Sequence, residues 1–86
     1  MRTFQQILEA AGYETSAYSG RGTQGRECLG VDLPGAGERD LGRLFADGLE
    51  AMEPEEVKAV AAAFRRMRTD SLGSGIVVYF PGIPHA

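Results

Sequence analysis

Twelve carboxylates, nine Lys or Arg side chains, one thiol and one imidazole make up the reactive inventory of an 86-residue chain. The imidazole is His85, behind Pro84 and next to the last residue. A general base must be held in place as well as tuned, and a residue so placed is expected to lack that support. The thiol, Cys28, has no other histidine to pair with and reads as a small core residue. One Cys and one His do not make a metal site. These residues predict no catalytic centre, no metal and no cofactor; the expected class is a binding protein, not an enzyme.

Three charged clusters remain. The run "GRGTQGRE", from Gly20 to Glu27, holds three glycines and two arginines. A phosphate loop places its glycines between a strand and a helix, followed by Lys and Ser/Thr. Here the run lies between two strand-like segments and has no Lys, so a nucleotide cradle is not expected. Two readings stay open. The run is a bare hairpin bend, or it is a contact loop in which Arg21 and Arg26 offer forked donors to carboxylate or phosphate, with Tyr18 at its edge adding an aromatic contact. The second cluster is acidic: Asp47, Glu50, Glu53, Glu55 and Glu56, with no basic residue between them. It reads as a solvated helix corner that complements a helix dipole, or as a negative patch that docks on a basic partner. The third is Arg65, Arg66 and Arg68, read as charge at a helix C-terminus or as a small anion patch.

These clusters need elements to position them. Thr3 and Gln6 form a capping box ahead of Phe4, Ile7, Leu8 and Ala11, and Gly12 follows, so a short helix is expected from about Phe4 to Ala11. Residues 13–18 and 28–33 alternate as strands, the second stopped by Pro34-Gly35. Leu41, Leu44, Phe45, Leu49 and Met52 form one helical stripe. Gly48 lies on that stripe, where a close backbone approach would explain it. Pro54 opens another helix whose stripe is Val57, Val60, Ala61, Phe64 and Met67. "DSLGSG" reads as a turn, and 76–80 is the strongest strand. The expectation is one α+β domain spanning 1–86: a three-stranded antiparallel sheet with helices packed on one face, in the order αββααβ. Leu44, Phe45, Leu49, Val60, Phe64, Val78 and Phe80 are its expected core.

A formal charge of -3 argues against tight sequence-independent DNA binding, which draws on a basic surface. A single cysteine excludes an intrachain disulfide, and no apolar run approaches the roughly 20 residues of a spanning helix. With no signal-peptide pattern at the N-terminus, the expectation is a cytoplasmic protein with no membrane partner.

The segment "ILEAAGYETSAYSGRGTQGRECLGVDL" resembles small proteins encoded by phages and mobile elements. The likeness rests on Ala11 to Thr15, Ser19 to Gly22, Gly25 and Cys28 to Val31. Some proteins of this kind look like anti-CRISPRs. The resemblance implies a phage-derived inhibitor acting in a bacterial host, with a host protein or ribonucleoprotein effector complex as its partner. The alternative is a small nucleic-acid-associated or housekeeping module that uses the Arg/Gly loop.

Overall fold

The computed structural model of the chain describes residues 2–19, 27–33, 38–72 and 75–86, the side chains of 38, 39 and 72 excepted. Helix α1, Phe4–Ala10, begins as its sequence requires. Thr3 Oγ1 accepts the Gln6 N–H at 3.2 Å, and Gln6 Oε1 accepts the Thr3 N–H at 2.9 Å. Two otherwise orphan donors are satisfied at once. The helix ends in a Schellman arrangement: Tyr13 N–H donates to Leu8 O and Gly12 N–H to Glu9 O. Gly12 takes φ +97°, the left-handed conformation that this ending needs.

The sheet has four antiparallel strands in the order β1-β2-β4-β3. They are β1 Thr15–Ala17, β2 Cys28–Leu33, β3 Arg68–Leu72 and β4 Gly75–Pro81. The expected three strands are therefore corrected to four, and αββααβ to αββααββ. The extra strand lies in a stretch that its polar residues mark as a turn. Thr69 and Ser71 pair with Val78 and Ile76 of the strongly apolar β4, and that pairing overrides weak local β-propensity. β1 is shorter than 13–18, although Tyr18 N–H still donates to Cys28 O at 2.9 Å. β4 pairs with β2 on one side and β3 on the other, so it is central.

Register divides the sheet into two faces. Leu29 lies opposite Phe80 and Val31 opposite Val78. These four pack with Phe4, Ile7 and Leu8 of α1, with Leu44 of α2 (Glu38–Ala51), and with Val60 and Ala63 of α3 (Val57–Arg65). Full burial of a side chain such as Phe80 contributes about 1.5–3 kcal/mol. Edge-to-face contacts add order: Phe4 sits 4.9 Å from Phe80 and 5.4 Å from Phe64, at steep angles. All three helices contribute to this one cluster.

Two expected core residues lie outside it. Phe45 is 44% exposed and Leu49 37%. α2 is rotated so that Leu44 and Gly48 point inward. A Cβ at Gly48 would stand 3.3 Å from the Phe64 ring, so the glycine makes room for the aromatic, as its place on the stripe suggested. Phe64 itself is half-buried. On α3, Val57 likewise faces outward, at 47% exposure.

The third charged cluster is also divided. α3 ends at Arg65, Arg66 caps it, and Arg68 opens β3. The helix stops there because Met67 leads directly into the strand that pairs with β4. At the far end of β4, Pro81-Gly82 forms a turn closed by Ile83 N–H to Phe80 O at 3.1 Å, with Gly82 at φ +81°. Pro followed by a positive-φ Gly is the pairing a type II turn prefers.

Candidate functional site

The outward rotation of α2 and α3 leaves an apolar groove between them. Phe45, Leu49, Val57, Ala61, Phe64 and Arg65 line a cleft of about 370 Å³. Phe45 and Phe64 meet edge to face across it, 4.8 Å apart. Phe45, Leu49 and Val57 are the exposed large hydrophobics among the described residues, and all three border this groove. Its ends differ in charge. Glu50, Glu53 and Glu55 are exposed at the corner where α2 gives way to α3. Arg65 stands at the opposite end, in the last turn of α3.

The acidic cluster thus splits by environment. Glu56 is 2% exposed and does not belong to the surface patch in which the sequence placed it. Its carboxylate accepts two bonds from Arg2, at 2.7 and 3.0 Å, and one from the Glu53 N–H at 2.6 Å. Arg2 also donates to Ala51 O at 2.7 Å, the carbonyl of the last α2 residue. The bidentate pair therefore ties the N-terminal segment to the α2–α3 corner. The Arg2 bonds, then the Glu53 N–H, hold the Glu56 carboxyl down at about 2. The short 3-10 turn Pro54–Glu56 explains why position 56 points inward while 53 and 55 do not.

Asp47 is half-buried and accepts the Tyr13 hydroxyl at 2.5 Å, which joins α2 to the approach of β1. Burial, then the bond to Asp47, pushes the Tyr13 phenol up to about 12. Asp47 is therefore a tertiary link, and Glu50, Glu53 and Glu55 remain as the outward acids.

Tyr18 lies on the other face of the sheet. Its ring stacks on Tyr79 at 4.4 Å and 18°, and its hydroxyl donates to Asp70 at 2.5 Å. A Cβ at position 30 would come within 3.0 Å of the Tyr18 Cβ. Gly30 therefore lets the tyrosine cross β2 and reach β4 and β3. A glycine inside an otherwise apolar strand is the signal of such an approach, and it could have placed Tyr18 on the sheet. Cys28, on this face by register, is 1% exposed. Arg21 and Arg26, the heart of the expected contact loop, lie outside the described residues.

The sequence thus named the acids at one end of the groove but missed the groove. It assigned Phe45 and Leu49 to the core and Val57 to the apolar stripe of the helix after Pro54, because helical periodicity marks such a stripe without saying which edge of it is covered. Among the described residues no group of three or more His, Cys, Asp or Glu could hold a metal ion. None of the described helices is long and apolar enough to cross a membrane. What the site offers chemically is apolar burial with a charged end. No protein family, no curated protein and no solved structure matches the chain.

Proposed function

We propose that the chain is a non-catalytic binding protein that inhibits a bacterial defence complex of the CRISPR-Cas kind through protein–protein contacts in the cytoplasm. The observation that carries the binding part is the convergence of Phe45, Leu49 and Val57 on one groove with Glu50, Glu53 and Glu55 at its end. The occupant is a helical segment of the partner whose apolar side chains recur at i, i+3 and i+4, with Lys or Arg where it meets the acidic corner. Laying an amphipathic helix in an apolar groove is a standard recognition mode, and charge at one end sets its direction. The resemblance of the N-terminal third to phage-encoded inhibitors supports the defence complex as partner.

The test is a plaque assay on bacteria whose CRISPR system targets the infecting phage. Expression of the chain should restore plaques, and the Leu49→Gln/Val57→Gln variant should fail to do so while remaining folded. No restoration against any effector type tried would sink the inhibitor reading. Restoration by the double variant would remove the groove from it.

A further inference from the structure

A second cleft lies on the opposite flank of α3, away from the groove. It has a volume of about 410 Å³, within the rough range of 300–1,000 Å³ for small-molecule sites. Phe4 at the start of α1, Ala59 and Ala62 of α3, and Ile83 and Pro84 of the tail form its apolar wall. The alanines make the hollow: both are exposed, and neither side chain reaches far enough to fill it.

Several polar groups around this wall are already engaged. Thr3 Oγ1 accepts the Gln6 N–H of the α1 cap. Gln5 donates to Glu9 at 3.2 Å and accepts the Ala86 N–H at 2.8 Å. Arg66 is the one cationic side chain in the lining. Its exposed side chain makes no hydrogen bond or ion pair with another described residue. Its backbone N–H donates to Ala63 O at 3.0 Å at the end of α3. Its guanidinium lies over the Pro81-Gly82 turn, with Nη1 only 2.6 Å from where a Cβ of residue 82 would stand. Gly82 supplies the positive φ of the turn, and the end of the Arg66 side chain lies close over it.

We infer that this cleft binds a small apolar monocarboxylate, with Arg66 as the partner of its carboxylate. One forked donor, without a partner among the described residues, at the edge of an apolar wall suits one anionic head on an apolar body. A ligand with further polar groups would bury them against the apolar side chains of Phe4, Ala59, Ala62, Ile83 and Pro84, which is unfavourable. A straight-chain acid of medium length satisfies both conditions. The site shares no residue with the α2–α3 groove, so it stands or falls independently of the proposed inhibitor role.

Amide-resolved NMR titration of the full chain with decanoate tests the inference, with 1-decanol as the uncharged comparison. Decanoate should shift the amides of Ala59, Ala62, Arg66 and Ile83 and should saturate. It should bind at least about tenfold more tightly than decanol, since a charge-assisted pair is at stake. Arg66→Gln should erase that preference and Arg66→Lys should restore part of it. Ala62→Leu, at an exposed position, should weaken both probes by filling the hollow. Equal binding of the two probes, no binding, shifts centred on Phe45 and Leu49, or a preference that survives Arg66→Gln would each overturn the inference. So would tighter binding by a short peptide with a free apolar C-terminus that is lost on its amidation, because the occupant would then be a peptide end.

Discussion

Leu44 and Phe45 are neighbours on one helix, yet the first is 0% exposed and the second 44%. The same contrast runs along both members of the α2–α3 pair. On the inner side Leu44, Val60 and Ala63 close the core over Val31, Val78 and Phe80. On the outer side Phe45, Leu49 and Val57 present similar side chains to solvent. Composition does not separate the two sides; the rotation of each helix about its axis does. That rotation is set by two small facts, the missing side chain at Gly48 that admits Phe64 and the inward turn of Glu56 toward Arg2. Inner residues hold the fold, and outer residues are free to bind. The contrast breaks if substitutions on the two sides have similar effects.

The largest expected effect is at Phe80. Phe80→Ala should cost about 3–5 kcal/mol, a large share of the roughly 5–15 kcal/mol that holds a domain together. Phe64→Ala should cost less, because its ring is half-buried and one edge faces the groove. Urea denaturation of the two variants beside wild type measures the difference. Equal losses would mean that the groove side is as structural as the core.

Next is the corner clamp. Glu56 titrates near 2 in the fold, against an ordinary value of 4.5. A lowered carboxyl stabilises the fold fully above its unfolded value, and that contribution is lost as pH falls through the folded one. Thermal melts between pH 7 and pH 2 should therefore show an acid decline that Glu56→Gln flattens, with a lower melting temperature at pH 7. Glu55→Gln, at the adjacent but exposed position, should leave both unchanged. An unaltered acid limb in Glu56→Gln would show that the pair with Arg2 does not brace the corner.

A smaller effect is expected from Tyr18→Phe. It keeps the stacking on Tyr79 and removes the hydroxyl from Asp70, an anionic acceptor, at a cost of about 1.5–3 kcal/mol. A change below about 0.5 kcal/mol would return Tyr18 to the list of residues available for partner contact.

The parts of the fold written in local signals could be read in advance. The capping box at Thr3, the stop at Gly12, the alternation of 28–33 and the apolar run of 76–80 each depend on near neighbours in sequence. β3 was not readable, because Arg68, Thr69, Asp70 and Ser71 become a strand only by pairing with β4. The site divides in the same way. Glu50, Glu53 and Glu55 are outward acids by composition alone, whereas the removal of Glu56 from their company depends on Arg2, 54 residues away. Tyr18 looked like the edge of a contact loop because its partners, Asp70 and Tyr79, lie more than fifty residues downstream.

The smallest effect on stability should come from the groove itself. Gln at positions 49 and 57 keeps an aliphatic stem against the neighbouring helix and adds no charge. Leu49→Gln/Val57→Gln should therefore cost on the order of 1 kcal/mol in total. Its effect on binding should be much larger, since a few central apolar contacts carry most of the affinity of such an interface. Capture of the effector complex by tagged protein, read beside a thermal melt, separates the two quantities. Glu50→Lys/Glu53→Lys/Glu55→Lys should also lose capture, but its loss should shrink in high salt because these charges are exposed and screened. Arg21→Ala/Arg26→Ala supplies the counter-test. If that variant loses capture while the groove variant keeps it, recognition belongs to the Arg/Gly loop, and the outer side of α2 and α3 is exposed apolar surface without a partner.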